Sequence, residues 1–217
     1  PKGVLHFHDG ETMSAVDNWE IELFGKGSHG SMPELSIDPV VAGASLVMAL
    51  QTIVSRNISP WDNSVVTIGA FLAGNEGNVI ANGAILRLSM RNMQAETRKK
   101  VLDRIRKITA AQAESYGCTY EIREGQPGAV LVNSAEETKF AADVAKHYFG
   151  DENVVYPCKP LMSSEDFAFM LQQKPGNYIM IGNGDTFMVH HPKYVFDLDI
   201  LPIGASLWVA LAQEYLK

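Results

Sequence analysis

Between residues 17 and 124 the hydrophobic pattern of this chain reads strand, helix, strand, strand, helix, strand. Few folds accept that order. Residues 17–24 (Asp17-Asn18-Trp19-Glu20-Ile21-Glu22-Leu23-Phe24) alternate polar and apolar, as a strand buried on one face does. Asp38 and Pro39 then offer an N-cap and a first helical position, and apolar residues from Val40 to Val54 recur at helical spacing. Residues 64–72 and 84–91 read as strands. Gln94 to Tyr116 reads as a charged amphipathic helix stopped by Gly117, and residues 119–123 as a fourth strand. This order is the split βαβ, ferredoxin-like βαββαβ pattern. Glu124 to Gly128 reads as a linker.

The rest of the chain follows another rhythm. Helices are expected over 135–148, 163–173 and 202–216, with short strands at 154–156 and 178–181. Tyr178-Ile179-Met180-Ile181 does not alternate, which suits a sheet covered on both faces. These pieces are too few for a complete doubly wound sheet. The stretch 129–217 is therefore expected to be the second half of an α/β domain whose first half precedes Pro1. A start at Pro, with no Met near it, agrees with a chain cut from something longer.

Charge narrows the partners. Eighteen Lys and Arg against 25 Asp and Glu leave a net charge of −7, which argues against nucleic acid or an anionic membrane as partner. No apolar run reaches membrane-spanning length, and the first residues lack the apolar core of a secretory leader. Two cysteines, Cys118 and Cys158, are too few for a disulfide scaffold, and reduced thiols in a cytoplasmic protein are expected.

Two loops carry the chemistry. Gly25-Lys26-Gly27-Ser28-His29-Gly30-Ser31-Met32-Pro33 holds a histidine among glycines, where backbone can approach a ligand or take positive φ. His29 reads either as an exposed histidine of a tight turn or as a donor to a developing oxyanion. Val189-His190-His191-Pro192 contains the only His-His pair. Imidazole is a common zinc ligand, yet two adjacent histidines cannot make a site of three or four ligands. Ser163 and Asp166 have capping-box spacing, and Glu165 or Asp166 could instead orient a metal-bound histidine. Asn78 and Arg91 flank the third strand. Arg91 is either a strand-end ion-pair residue or, with Asn78, a fork for a carboxylate.

In this order the motifs resemble the metal-dependent amidohydrolases that include aminoacylases, hippurate hydrolase and auxin-conjugate hydrolases. Residues 13–17, the Gly25–Pro33 loop with Asp38-Pro39, Gly77-Asn78-Val79-Ile80 and Ser89-Met90-Arg91 are similar to that family's lid, or dimerisation, domain. Ser164-Glu165-Asp166-Phe167-Ala168, Pro175-Gly176, Val189-His190-His191-Pro192 and Leu201-Pro202-Ile203-Gly204-Ala205 resemble the closing half of its catalytic domain. The chain departs from the family pattern at Ser28, Glu34, Ala81 and Val195-Phe196-Asp197.

The resemblance implies an α/β protein in three parts: a remnant of the catalytic domain over 1–15, an α+β lid over 16–124, and the carboxyl-terminal half of a metallopeptidase-type catalytic domain over 125–217. It implies metal-dependent hydrolysis of N-acyl amino acids and a homodimer paired through the lids. His190 would be the last metal ligand, His29 the lid histidine that reaches the partner subunit's site, and Asn78 and Arg91 the grip on the substrate carboxylate. Glu165 and Asp166 are candidates to orient the ligand. The metal would be zinc or manganese. The remaining ligands and the water-activating glutamate would lie before Pro1, so the chain alone is expected to bind metal weakly and to be inactive. The rival expectation is a non-catalytic module that self-associates through its lid.

Overall fold

The computed structural model describes residues 1–217. Two short strands come first, β1 (Leu5–His6) and β2 (Gly10–Met13). Then follow β3 (Ala15–Phe24), β4 (Ser28–His29), α1 (Pro39–Asn57), β5 (Ser64–Ala73) and β6 (Val79–Ile80). Next are β7 (Gly83–Asn92), α2 (Ala95–Ser115), β8 (Thr119–Glu124) and β9 (Leu131–Asn133). The last elements are α3 (Ala135–Phe149), β10 (Val154–Val155), α4 (Phe167–Leu171), β11 (Met180–Ile181) and α5 (Leu201–Tyr215). The chain divides into two compact units. One is Met13–Val130 with Met162–Ser164; the other is Pro1–Thr12, Leu131–Leu161 and Glu165–Lys217.

In the first unit four strands make one sheet in the order β5-β7-β3-β8, every neighbouring pair antiparallel. That is the order a split βαβ unit gives, with both helices on one face. The alternation of β3 places Trp19, Ile21 and Leu23 on the inner face beside Leu86, Leu88 and Met90 of β7. Leu46, Leu50 and Ile53 of α1 and Val101, Leu102 and Ile105 of α2 close over them. Each such leucine contributes about 1.5–3 kcal/mol by leaving water. Asp38 caps α1 through its Oδ1, which accepts from Val40 and Val41 N–H at 2.8 and 3.4 Å. α2 ends where Gly117 takes φ +73 and the Cys118 N–H returns to the Ala113 carbonyl.

The same alternation puts Asp17 on the inner face, 2% exposed. Arg98 of α2 answers it with two hydrogen bonds, Nε and Nη2 to the carboxylate at 2.7 and 2.6 Å. Removing Arg98 would strand the Asp17 carboxylate, whose side chain is 3% exposed, a loss of about 3–5 kcal/mol.

The second unit has only short ladders. β1 pairs parallel with β10 and antiparallel with β11, and β2 pairs with β9. Its core joins Leu5 and Phe7 to Ala141, Ala142 and Ala145 of α3 and Leu207 of α5.

Several expectations need correction. Glu124 to Gly128 is no free linker: Gly125 and Gly128 N–H bond to the Asn18 and Val16 carbonyls and extend the edge along β3. The helix expected over 163–173 is only α4, and Asp166 precedes it without a side-chain cap. The Met162 and Ser163 carbonyls are taken by Ser14, which holds that stretch extended and undoes the capping box. The strand expected over 178–181 shrinks to β11, because the Tyr178 N–H bonds to the Asn133 side chain instead of a ladder. Finally, α1 does have the length and composition of a membrane span. It buries Ala42, Leu46, Leu50 and Ile53 in a protein core, which accounts for that apolarity.

Candidate functional site

The glycine loop and the segment before β7 are zipped together. Gly25 N–H bonds to the Asn82 carbonyl and Gly27 N–H to the Asn82 Oδ1, both at 2.8 Å. β4 and β6 then pair, with Ser28 opposite Ile80 and His29 opposite Val79, and Gly30 N–H reaches the Asn78 carbonyl at 2.7 Å. His29 and Asn78 are thus neighbours on one hairpin-like tip, both exposed. Gly25, Gly27 and Gly30 do not take positive φ, contrary to one sequence expectation. They serve close approach. A Cβ on Gly27 would lie 2.6 Å from the Ile80 carbonyl oxygen, closer than packed atoms tolerate.

The His29 ring has a defined orientation. Its Nδ1 lies 3.1 Å from the Ser31 backbone nitrogen and 2.7 Å from Ser31 Oγ. Neither Ser31 nor the Asn82 clamp stands out in the sequence, since both act through local geometry.

Arg91 sits near the other end of β7, opposite Val16 of β3 and Val65 of β5. Phe24 pairs with Gly83 at the tip end, so eight residues of β7, roughly 25 Å of extended strand, separate the two ends. Arg91 is not the strand-end ion-pair residue the sequence allowed. Its Nη1 donates to the Met162 carbonyl at 3.0 Å, and none of the ion pairs of the chain includes it. The guanidinium keeps donors for a planar anion. Within one chain, Asn78 at the tip and Arg91 near the far end of β7 are not neighbours.

His190 and the acidic pair belong to the other unit. The Met188 carbonyl accepts from His191 N–H at 3.1 Å, closing a turn in which His190 has φ +70, the one non-glycine residue in the left-handed region. Such a conformation costs on the order of 1–3 kcal/mol and collects at functional positions. The two histidines then differ. His191 stacks on Phe187, ring centroids 4.2 Å apart and planes at 7°, and its Nδ1 accepts from Lys193 N–H. His190 keeps both ring nitrogens free of intramolecular hydrogen bonds, on an exposed turn. Beside this turn lies a basin of about 880 Å³ whose lining includes Phe187, Lys193, Val195 and Phe196. Lys2, held in its charged form by Asp197 and Asp199, borders it.

Glu165 and Asp166 are exposed at the start of α4, and no hydrogen bond links either to His190. Glu165 instead neighbours Tyr178, whose hydroxyl is pushed above its ordinary value by burial and then by that carboxylate. No three His, Cys, Asp or Glu side chains converge into a group able to hold a metal ion. Stable zinc sites use about four ligands. The side chains of this chain therefore do not by themselves fit a resident metal, and His190 stands alone with both ring nitrogens unpartnered.

The chain as a whole is similar to known proteins. Residues 2–214 match the model of peptidase family M20/M25/M40. The hippurate hydrolase of Campylobacter jejuni is 39% identical over 213 residues, covering 98% of this chain and 56% of the relative. Among solved structures, a protein of methicillin-resistant Staphylococcus aureus described as a putative aminohydrolase superposes with a TM-score of 0.85 at 30% identity, over 100% of this chain and 56% of that one. The Bacillus subtilis YXEP protein, described as a dinuclear metal-binding peptidase, gives 0.77 at 25% identity, over 98% and 53%. The chain spans about half the length of the relatives it matches.

Proposed function

The chain belongs to peptidase family M20/M25/M40, and from that membership we propose that a protein carrying it hydrolyses the amide bond of N-acyl amino acids, hippurate-like substrates first. The activity is proposed for a protein of the relatives' full length. This chain supplies its lid, residues 16–124, and part of its catalytic domain, residues 1–15 and 125–217. The observation that carries the reading is the clamped tip: a strand pairing fixes His29 beside Asn78, and the exposed His29 ring keeps Nε2 without a partner in the chain.

His29 donates to the amide oxygen as charge gathers on it, where a preorganised donor acts most strongly. Arg91 forks the substrate carboxylate with the donors it does not spend on Met162. Asn78 adds a hydrogen bond near His29. Because Arg91 and the tip are about a strand length apart, roughly 25 Å, one chain serves two sites: Arg91 works in one, and His29 with Asn78 in another.

A homodimer follows from that division. It forms at the open β5 edge and the α1 face beside it, where Val41, Met48 and Leu72 are 51%, 70% and 50% exposed. Divalent metal dependence, zinc or manganese, is part of the proposal. It leans on the family and on the described metal binding of the YXEP protein. His190 is the ligand this chain offers, and Glu165 and Asp166 are the candidates to orient it. The two unpaired cysteines suit a cytoplasmic setting. A second reading of the chain taken alone is a self-associating module without turnover, for which the exposed Val41, Met48 and Leu72 speak.

The test is hydrolysis of N-benzoylglycine by a protein of the relatives' length, with and without His29→Ala. Turnover lost on chelation and weakened by the substitution supports the reading. Activity indifferent to both would end it.

A further inference from the structure

We propose that Ser31 is a positioning residue that sets the proton of His29, an assignment that rests on reading His29 as the donor to the amide oxygen. Two contacts carry it. The Ser31 backbone nitrogen lies 3.1 Å from His29 Nδ1 and Ser31 Oγ lies 2.7 Å from the same atom. A backbone N–H can only donate, so Nδ1 must be the acceptor and carries no proton. The ambiguous hydroxyl contact is then settled too: the hydroxyl donates as well. A neutral imidazole has one N–H, and with Nδ1 bare that proton is on Nε2. Nε2 has no partner in the chain and points its N–H away from the Ser31 turn. The turn thus turns a tautomeric mixture into a single outward donor.

The scaffold makes this local geometry durable. Ser31 follows Gly30, whose N–H is tied to the Asn78 carbonyl, and Met32 N–H returns to the His29 carbonyl at 2.9 Å. Residues 29–32 form a closed turn on a strand pair, so the serine and the ring keep their relative place. Were the tautomer reversed, Nε2 would present a lone pair to the developing negative charge. Repulsion would replace donation.

The experiment reads the proton directly. Long-range proton–nitrogen spectra of the uniformly nitrogen-15-labelled chain distinguish the two tautomers, and His29→Gln assigns the signals. In the unmodified chain, His29 should show a protonated Nε2 and a bare Nδ1. Ser31→Ala keeps the backbone donor and removes the closer one. It should lower the preference for that tautomer roughly fivefold, the worth of one net hydrogen bond. Ser31→Thr, which keeps the hydroxyl, should restore it. A proton on Nδ1 in the unmodified chain, or an unchanged ratio in Ser31→Ala, overturns the assignment.

A second arm uses the full-length enzyme with hippurate. Ser31→Ala should lower kcat in step with the fall in the Nε2-protonated fraction, about twofold, with KM unchanged, and Ser31→Thr should recover it. If His29→Ala lowers kcat and Ser31→Ala does not, the positioning role falls and the reading of His29 stands. If neither lowers kcat, the reading of His29 falls, and the positioning role with it, while the spectra still report the proton.

Discussion

Asn78, in the segment leading into β7, and Arg91, next to its last residue, are held apart by the length of that strand, roughly 25 Å. Each has a physical reason to be where it is. Asn78 is fixed by its carbonyl to the Gly30 N–H, and Arg91 by its guanidinium to the Met162 carbonyl. Their separation divides the kinetics. In the full-length enzyme His29→Ala should lower kcat by about 10²–10³ with KM little changed, as loss of a transition-state donor does. Arg91→Ala should mainly raise KM, because a fork to the substrate carboxylate would hold ground state and transition state alike. Steady-state kinetics on N-acyl amino acids check both. Equal effects on kcat from the two substitutions would contradict the division.

The second prediction concerns the loop that carries His29. A methyl group on Gly27 would meet the Ile80 carbonyl at 2.6 Å, so Gly27→Ala must spread β4 from β6. The sheet core lies elsewhere, on the inner face of β3 and β7. The thermal unfolding midpoint should therefore fall by only a few degrees, a loss on the order of 1 kcal/mol. The kcat should fall toward that of His29→Ala. Full activity in Gly27→Ala would show that the pairing does not hold His29 in place.

Much of this was legible in the sequence, for reasons of period. The strands and helices of the ferredoxin-like unit are long enough for alternation and helical spacing to show, and Asp38 caps α1 as its position suggested. The other unit resisted because β1, β10 and β11 have two residues each, too few for a period. α4 was overestimated because Ser14, far away in sequence, claims the carbonyls before it. Asp17 has the parity of Trp19 and Ile21, so alternation already turns it inward; its partner Arg98, 81 residues on in α2, is what the pattern does not show. At the candidate site the residue types were visible and their differences were not. His190 and His191 are interchangeable in a one-dimensional pattern. Positive φ at the first and the Phe187 stack at the second separate them.

A third prediction follows from the ligand count. With no three His, Cys, Asp or Glu side chains converging, the 217-residue chain should lose added zinc on dialysis and should not turn over hippurate. Metal analysis after dialysis and a turnover assay decide it. Stoichiometric zinc that survives dialysis would mean that ligands within this chain can gather in solution.

The fourth concerns self-association. The β5 edge and the exposed Val41 and Met48 of α1 form an apolar strip beside unpaired backbone, a combination that proteins seldom leave bare. Sedimentation at micromolar concentration should give about twice 23.8 kDa. Val41→Glu with Met48→Glu should return it to the monomer without loss of helicity. A monomer at every concentration, or a dimer untouched by the double substitution, would place the interface elsewhere.

The last prediction joins the dimer to the chemistry. If His29 and Asn78 serve the partner's site, a defect at the tip and a defect at His190 belong to different sites. His29→Ala protein has intact His190 but lends its partner a defective tip. His190→Ala protein has an intact tip and a defective ligand. In a mixed dimer, the site built on the first chain's His190 receives its tip from the second chain and is whole, whereas the other site lacks both groups. Equal mixing makes half the dimers mixed, each with one good site of two, so about a quarter of full activity should return. The mixture must first exchange subunits, which tagged chains and co-purification can show. Recovery that rises with exchange and levels near that fraction fits a tip acting across the interface. Exchange without recovery would mean that His29 works within its own subunit, and the roughly 25 Å between the tip and Arg91 would then have to be closed by bending of the chain.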